Sequence, residues 1–439
     1  MFLVFDSFRA DKFYGKDKTS KTPNIDPLLK SGVYFTQAIP SADGTTLSLN
    51  SIFTGLYPFV TGTREMKLSL ENKNYVGAIR DFDYNIYGIM PKLTSYSPLY
   101  NLCINQDSVY DGGPPAQSLF DGLGQKIIDL LSSKMKEPWF CYVHIMDLHW
   151  PLVVPNKYDD LQYGKNKYEK VVSSIDYWIG RIMSHIDLTK TLVVITADHA
   201  TTIPVDDKDV TEFEPSLDLG LKVGKRLMPK STHNFGVKLF IKSRRIIQNA
   251  RLAQANKNLT AYEKRSRMPY YTLSLFDESI RVPLLFVGYG TKSAIMTDQV
   301  RSVDIFPTIA EIIDLQYGEK THGRSLLPLF NGQKLDEQPV YLHTMPYQEP
   351  SPDDMVGIRT SKYKYFRGSL DHNHNVNLYD LQNDPFENTN IAKDNMVIVD
   401  KMERILAEII DNTLAKQKQA LSKDEEEQIR DELKKLGYV

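Results

Sequence analysis

Short apolar runs bounded by turn residues alternate with amphipathic helical patterns along most of the chain. The runs predict strands at Phe2–Phe5, Val33–Ile39, Asn85–Ile89, Trp139–Ile145, Leu192–Thr196 and Val282–Val287. Apolar residues spaced three and four apart predict helices at Pro23–Lys30, Leu123–Lys134, Tyr168–Ile186 and Asp304–Leu315. This alternation favours an α/β protein with a central, mostly parallel sheet flanked by helices.

After about residue 318 the pattern changes to short strands close together in sequence. These are predicted at Val340–His343, Met355–Thr360, Tyr363–Arg367 and Val376–Tyr379. A charged amphipathic helix, Lys423–Leu436, follows them, and we expect it to cover their sheet. We therefore predict a catalytic domain over residues 1–317 and a smaller antiparallel α+β subdomain over residues 318–439.

Composition is that of an ordinary globular protein, with 41% hydrophobic and 25% charged residues and a net charge of −2. This balance indicates no specific nucleic-acid partner. Two cysteines, Cys103 and Cys141, provide no disulfide framework, which favours a reducing, cytoplasmic location. No segment has the length of a transmembrane helix. Because the first strand is unusually short, a leader or membrane anchor could lie upstream of it.

The middle of the chain has an abrupt change of charge. Residues 206–218 are acidic, whereas residues 221–270 carry thirteen Lys or Arg and one acid, Glu263. We interpret residues 205–270 as an insertion in the catalytic domain, partly helical around Arg244–Asn256. A solvated surface segment explains the charge most simply. The alternative is a basic rim that attracts a polyanionic or lipid-headgroup substrate.

Acidic residues and a histidine follow two of the predicted strands. Asp6 comes directly after Phe2–Phe5, while Asp198 and His199 follow the strand of LVVITADHA. Ligands bind outside the carboxyl ends of the strands in open α/β sheets. A carboxylate beside an imidazole suits a divalent metal, and a cation would offset the cost of placing charge beyond a buried strand. A helix-capping Asp with an incidental His is the simpler alternative, and we favour the metal.

Two further histidines flank the end of the strand in WFCYVHIMDLHWPLVVP. His144 and His149 could bind an anion or give a proton to a leaving group. A purely structural role is a reasonable alternative for His144 and a weaker one for His149.

Hydroxyl side chains are concentrated in SADGTTLSLNSIFTGLYP, residues 41–58. Thr45 lies at the predicted first turn of a helix that ends at Gly55. A hydroxyl there can cap the helix, and it can also attack an anion bound at the helix N-terminus. Ser41, Thr46 and Ser48 are competing candidates for the nucleophile.

These segments, in this order, resemble the sulfatase branch of the alkaline phosphatase superfamily over almost the whole chain. DSFRAD with TPNIDPLLKSGVYFTQA, NSIFTGLYP, YVHIMDLHWPL, YEKVVSSIDYWIGRI and ITADH correspond to successive family motifs. LFDESIRVPLLF, SVDIFPTIAEIIDL, HGRSLLPLFNG, NLYDLQNDPFENTNIA and LKKLGYV continue the series. One such motif would carry little weight, but the ordered set is specific.

The resemblance implies an alkaline-phosphatase-like sandwich with its active site at the carboxyl edge of the sheet. It further implies one or two divalent metals (Mn, Zn, Ca or Mg) and a covalent intermediate on the nucleophile. By position, Asp6, Asp198 and His199 match metal ligands, and His149 matches the histidine that contacts the transferred group or assists the leaving group.

The departures from the family pattern concern the nucleophile and the cations around it. Sulfatases oxidise a Cys or Ser in C/S-x-P-x-R to formylglycine, whereas this chain has Thr45, Leu47 and Leu49 at the Cys/Ser, Pro and Arg positions. Thr cannot supply the aldehyde, so no formylglycine is expected. Thr instead resembles the phosphoethanolamine transferases and the lipoteichoic-acid-synthase-like enzymes.

Two more family positions differ. The second of the paired aspartates after the first strand is replaced by Ser7. The His or Lys that precedes the LYDE-rVP motif has no match in YYTLSLFDESIRVP, and His233 or Lys238 could replace it.

Three functions follow from these residues. The leading one is a metal-dependent hydrolase or transferase of phosphate esters, with a covalent intermediate on Thr45. The second is a sulfatase that works without formylglycine. The third is a non-catalytic binding protein with a partly degenerate site, which the retention of Asp6, Asp198, His199 and His149 argues against.

Overall fold

The computed structural model describes residues 1–63, 67–70, 74–133, 135–203, 257, 259–266, 274–344, 351–411 and 423–436. The chain divides into two compact units, one made of Met1–Thr201 with Leu273–Val439 and the other of Thr202–Thr272. Within the second unit, Ala261–Ser266 is helical. The helix predicted around Arg244–Asn256 lies outside the described residues. The domain boundary near residue 317 stays a prediction.

An eight-stranded sheet forms the centre of the first unit. Its strands are β1 Phe2–Phe5, β2 Val33–Ile39, β3 Asn85–Pro91, β4 Val109–Tyr110, β5 Trp139–Ile145, β6 Leu192–Ala197, β7 Val282–Gly288 and β8 Ala294–Arg301. Their spatial order is β4-β3-β5-β1-β6-β7-β2-β8, and every neighbouring pair is parallel except the two that include β7. The predicted α/β class with a mostly parallel sheet is confirmed.

Helices connect and flank these strands. They span Ala10–Phe13, Ile25–Ser31, Thr45–Thr54, Pro58–Thr61, Tyr75–Asp81, Ser97–Tyr100, Leu123–Ser132, Lys167–Met183, Asp277–Ile280, Ile305–Ile312, Leu327–Phe330, Met396–Asp411 and Lys423–Leu436. The helix predicted over Tyr168–Ile186 starts one residue earlier because Asn166 caps it, accepting a hydrogen bond from the Glu169 amide at 2.9 Å. No described helix has the length and apolar character needed to cross a bilayer.

A smaller antiparallel sheet follows in the same unit, as predicted. It consists of β9 Val340–His343, β10 Met355–Arg359, β11 Tyr363–Gly368 and β12 Asn377–Asp380, in the order β12-β11-β10-β9. The helix Met396–Asp411 packs on this sheet, burying Val399, Met402 and Leu406 in a cluster with residues of β10 and β11.

The closing helix does not lie where the sequence predicted. Lys423–Leu436 packs against the turn Thr94–Tyr96 instead of covering the small sheet, so this prediction is wrong. Glu432 accepts hydrogen bonds from the Thr94 amide and hydroxyl, both at 2.8 Å. The physical reason is that Met396–Asp411, a more apolar helix, already occupies the sheet.

Aromatic packing supports the helix Thr45–Thr54. The ring of Phe53 lies edge-on to Phe2 of β1 at 6.3 Å and contacts Phe306 at 5.6 Å between centroids. Gly55 ends the helix with a φ of 67°, a left-handed conformation that favours glycine. This packing holds the N-terminus of the helix at a defined place above β1.

A buried group of four charges joins the central sheet region to the small sheet; we call it the ion-pair cluster. Asp277 pairs with Arg359 at 2.8 Å and with Lys364 at 2.6 Å, and Lys364 also pairs with Glu387 at 2.8 Å. Burial raises the pKa of Asp277, but Arg359 and Lys364 outweigh this effect and hold that pKa well below its usual range. The cluster has two basic and two acidic side chains, and burial raises the pKa of Glu387 to about 7 although Lys364 opposes this.

Candidate active site and metal centre

The register of three neighbouring strands brings Asp6, His144 and Asp198 together. Strand β1 lies between β5 and β6, with Val4 opposite His144 and Phe5 opposite Ala197. Asp6 and Asp198 therefore follow paired residues, and His144 shares the face of Val4 and Asp6 because side chains alternate along a strand. One ligand atom from each of the three residues lies within 4.8 Å of the others, and all three residues are buried.

The two carboxylates are held by local hydrogen bonds. Asp6 Oδ1 accepts the Ser7 hydroxyl at 2.7 Å, and Asp198 Oδ1 accepts the amides of His199 at 2.8 Å and Ser7 at 3.3 Å. Ser7 adopts a φ of 63°, which turns the chain sharply after β1. Among the described residues, the buried Asp198 Oδ2 has no hydrogen-bond partner. An ionised oxygen in that position is costly to bury unless a cation compensates it.

The hydroxyl of Thr45, the candidate nucleophile, faces these groups. It is the first residue of its helix, and Gly44 occupies the N-cap position without a side-chain cap. The Thr45 hydroxyl instead lies 3.3 Å from Asp6 Oδ2 and 3.2 Å from His199 Nε2. Ser48, by contrast, donates its hydroxyl to the Ala42 carbonyl at 3.0 Å. Of the two possibilities raised for the Thr45 hydroxyl, capping of the helix is not seen.

His199 is oriented by its own backbone neighbour. Its Nδ1 lies 2.8 Å from the Ala200 carbonyl, so Nδ1 carries the proton and donates it there. Nε2 then faces Thr45 and lies 3.8 Å from Asp198 Oδ2. Burial lowers the pKa of His199, but the carboxylates of Asp198 and Asp6 outweigh burial and raise it to about 9.

His144 is completely buried between two tyrosines. The Tyr142 hydroxyl lies 2.8 Å from its Nδ1, and the Tyr96 hydroxyl lies 3.4 Å from its Nε2. Nε2 also lies 3.8 Å from Asp6 Oδ2. The anion-binding or proton-donating role predicted for His144 requires contact with substrate, which a side chain without exposed surface does not offer.

His149 lies beyond the end of β5 and retains some exposure, about 8% of its surface. Its Nδ1 lies 2.7 Å from the Trp150 carbonyl, which fixes the ring orientation. Burial alone would raise the pKa of Asp6, but the imidazoles of His149, His144 and His199 hold it well below its usual range. His149 is thus linked to Asp6 electrostatically.

The charges of this cluster fit a divalent cation. Burial raises the pKa of Asp198, an effect that His199 opposes and Asp6 reinforces, because two carboxylates share one buried space. A cation between them would favour both ionised forms. The donor set of carboxylate and imidazole groups is one that divalent metals use in proteins. Asp6 and Asp198 are the residues best placed to hold such an ion.

Sequence reasoning missed the two tyrosines beside His144. Neither carries a motif: Tyr142 reaches the cluster through the pairing of β5 with β1, and Tyr96 reaches it from the turn Thr94–Tyr96. The alternation of side chains along YVHI was the available signal for His144. His233 and Lys238, the candidates for the missing family cation, lie outside the described residues, as does most of the basic segment 221–270.

Comparison with known proteins agrees with this architecture. The sulfatase family model matches residues 1–315, and the model described as N-sulphoglucosamine sulphohydrolase, C-terminal, matches residues 270–417. The crystal structure of the phosphonate monoester hydrolase of Agrobacterium radiobacter superposes with a TM-score of 0.66, at 16% identity, over 94% of this chain and 95% of that one. At this identity the superposition shows the fold alone.

Curated relatives match shorter segments. The choline-sulfatase of Rhizobium meliloti is 33% identical over 127 residues, which is 28% of this chain and 24% of that protein. Mouse arylsulfatase K (Mus musculus) is 30% identical over 148 residues, which is 32% of this chain and 27% of that protein. The matched segments thus span about a quarter of these relatives. Because the first family model covers well over half of the chain, this protein belongs to the sulfatase family.

Proposed function

We propose that this protein is a metal-dependent hydrolase or transferase of phosphate esters that uses Thr45 as its nucleophile. The observation that carries the proposal is the position of the Thr45 hydroxyl, 3.3 Å from Asp6 Oδ2 and 3.2 Å from His199 Nε2 at a helix N-terminus. A nucleophile needs a neighbouring group that accepts its proton, and an anion binds at a helix N-terminus through free backbone amides. Thr45 Oγ1 has a possible proton acceptor beside it and lies at a helix N-terminus, so it meets both requirements.

Different residues carry out the nucleophilic attack, the proton transfers and the departure of the leaving group. Thr45 Oγ1 attacks phosphorus, and its proton passes to Asp6 Oδ2, the carboxylate oxygen 3.3 Å away. The bond from phosphorus to the leaving oxygen breaks as His149 donates a proton to that oxygen. Asp6, Asp198 and His199 would hold a divalent metal, whose positive charge would offset the charge of the phosphoryl oxygens. Water, or an acceptor alcohol in a transferase, then releases the group from Thr45.

The identity of the nucleophile favours phosphorus over sulfur. Formylglycine forms from Cys or Ser, and residue 45 is Thr. An unmodified hydroxyl can still form a phosphothreonine intermediate. The basic segment 221–270 supports a polyanionic or lipid-headgroup ester as the natural substrate.

Sulfate-ester hydrolysis by the unmodified Thr45 is the second candidate. The family match and the sulfatase names of the relatives support it. A sulfate monoester carries less negative charge than a phosphate monoester. A site with Leu49 at the arginine position and Ser7 at the second aspartate position supplies less charge compensation and is better suited to the less charged ester.

The test is to trap the covalent intermediate and map it. Purified protein is incubated with nitrophenyl esters (a phosphate monoester, a phosphodiester and a sulfate), quenched in acid and analysed by peptide mass spectrometry. We expect a phosphoryl adduct on Thr45 and a loss of about 10³-fold or more in kcat in Thr45→Val, which keeps the shape and removes the hydroxyl.

Ser48→Ala and Thr46→Val are the matched controls, because they remove neighbouring hydroxyls of the same helix. Both should retain the adduct. An adduct on Ser41 or Ser48, or full activity of Thr45→Val, would contradict the assignment. A sulfo-adduct with no phosphoryl adduct would favour the second candidate, and no turnover of any ester would favour the binding protein.

A further inference from the structure

His144 has the geometry of a metal ligand and no access to substrate. Its side chain has no exposed surface, and its Nε2 lies 3.8 Å from Asp6 Oδ2, which is too far for a hydrogen bond. Two atoms bound to one ion at ~2.1 Å lie roughly 3.0 to 4.2 Å apart, depending on their angle. The separation is therefore the one expected for two ligands of a shared cation.

A second observation points to the same space. Asp198 Oδ2 is fully buried and, within the described part of the chain, accepts no hydrogen bond. It belongs with Asp6 and His144 to the group whose ligand atoms all lie within 4.8 Å. An acceptor that has lost water and gained no donor is a place where a cation lowers the free energy.

The surroundings of His144 select the ring nitrogen that would bind. Tyr142 Oη lies 2.8 Å from Nδ1, so Nδ1–H can donate to it, and Nε2 then faces Asp6 Oδ2 at 3.8 Å and the Tyr96 hydroxyl at 3.4 Å. Metal-binding histidines commonly donate their other ring N–H in this way, which fixes both tautomer and orientation. Ser7, next to Asp6, has a hydroxyl instead of a carboxylate, and this hydroxyl donates to Asp6 Oδ1. Ser7 therefore adds no carboxylate to the donor set.

We propose that His144 binds the divalent metal through Nε2, and that the centre therefore selects a transition ion such as Zn²⁺ or Mn²⁺ over Ca²⁺ and Mg²⁺. This inference rests on the metal site of the proposed function. Ca²⁺ and Mg²⁺ prefer oxygen ligands, whereas imidazole suits transition ions. With Asp6, Asp198 and His199, the donor set becomes two carboxylates and two imidazoles. His144 thus changes from a candidate proton donor to a positioning and metal-binding residue.

Metal titration provides the first test. The full chain is stripped with chelator and titrated separately with Zn²⁺, Mn²⁺, Ca²⁺ and Mg²⁺ by calorimetry. We expect Zn²⁺ and Mn²⁺ to bind more tightly than Ca²⁺ by at least about 100-fold, and His144→Phe to remove about 100-fold of the Mn²⁺ affinity. Tyr110→Phe is the matched control, because the Tyr110 hydroxyl donates to the His144 backbone carbonyl at 2.9 Å and not to its ring. Equal Mn²⁺ affinity in His144→Phe and Tyr110→Phe would overturn the proposal.

Pulsed EPR of the Mn²⁺ protein tests coordination without relying on a buried His144 variant that could fail to fold. Histidine labelled with ¹⁵N should give couplings from two imidazoles in the natural sequence, and one should remain in His199→Phe. Absence of imidazole coupling in Mn²⁺-bound His199→Phe would overturn the proposal.

Neither measurement needs turnover, so failure here is distinguishable from failure of the proposed function. Imidazole coupling from His144 in a protein that hydrolyses no ester would sustain this inference and contradict the catalytic one. Metal-dependent hydrolysis without that coupling would do the reverse.

Discussion

The protein buries two groups of charges, and they differ in how those charges are compensated. In the ion-pair cluster, Asp277 and Glu387 lie within 2.8 Å of Arg359 or Lys364. In the candidate metal centre, Asp6 and Asp198 have imidazoles nearby, but the described residues give Asp198 Oδ2 no hydrogen bond. In the first group each carboxylate has a lysine or arginine side chain of the same chain beside it. In the second, a bound cation would compensate the buried carboxylates, which is the basis for proposing a function there.

The largest expected effect on stability comes from removing one cation of the ion-pair cluster. Lys364→Met leaves Asp277 and Glu387 buried with one fewer cation, so we expect the free energy of unfolding to fall by about 3–5 kcal/mol. Urea unfolding monitored by circular dichroism measures the change. Lys362→Met is the control, since Lys362 is exposed and its loss should cost less than about 0.5 kcal/mol. Similar values for both variants would show that the ion-pair cluster contributes little.

At the candidate metal centre, removing a charge is expected to increase the free energy of unfolding, by a smaller amount. Asp198→Asn keeps an oxygen for the Ser7 and His199 amides and removes an uncompensated charge. In chelator we expect the variant to be more stable than the natural protein by about 1–2 kcal/mol. In Mn²⁺ at about 100 times its Kd, only the natural protein should gain about 2.7 kcal/mol. Destabilisation of the variant in chelator would show that the chain already compensates Asp198.

A further effect concerns a partly buried carboxylate outside both groups. Asp147 accepts the Leu119 amide at 3.1 Å, and burial raises its pKa to about 7, with a further contribution from Asp121. The folded state therefore binds more protons than the unfolded state between about pH 4 and pH 7, and this contribution to stability is lost as pH rises through that window.

Replacing Asp147 with Asn tests this sign. Asp147→Asn keeps an acceptor for the Leu119 amide and has no carboxyl group to titrate. The natural protein should lose stability between pH 4 and pH 7 and the variant should not lose this part. The free energy of unfolding of the variant minus that of the natural protein should therefore increase over this range. Urea unfolding at several pH values measures the difference. Asp121→Asn is the control and should leave most of the slope in place. A difference independent of pH would contradict the assignment.

The positions of the strands and of the carboxylates at their ends were accessible from sequence. Apolar runs predicted β1, β2, β5 and β9 with their observed bounds, because buried strands leave a direct hydrophobic signature. Asp6 and Asp198 were recognisable as candidate site residues because a charge directly after a buried strand has a desolvation cost unless a bound ion or a partner compensates it.

Two of the elements that escaped prediction did so for different reasons. Strand β8, Ala294–Arg301, lies at the sheet edge, and its first residues are partly exposed, so it shows no apolar run. The helix Met396–Asp411 does carry the signal, with Val399, Met402 and Leu406 three and four residues apart, and it could have been predicted.

The position of His144 beside Asp6 could not be read from local sequence. It depends on the order β5-β1-β6 and on the register of Val4 with His144, which pairing across many residues determines. The same applies to the Thr45 hydroxyl, which caps the helix in a local interpretation and turns to Asp6 only in the folded sheet.

The antiparallel direction of β7 has a consequence for how this fold accepts added sequence. A parallel neighbour of β6 would require a crossover to the far edge of the sheet, whereas β7 begins at the edge where β6 ends. The Ala200 amide donates to the Ser279 carbonyl at 2.9 Å, which fastens the two ends of this connection together. In topological terms, β6 and β7 are the arms of a hairpin, and residues 202–272 replace its turn. Such a connection can lengthen or shorten during evolution at small entropic cost, without any change of strand order.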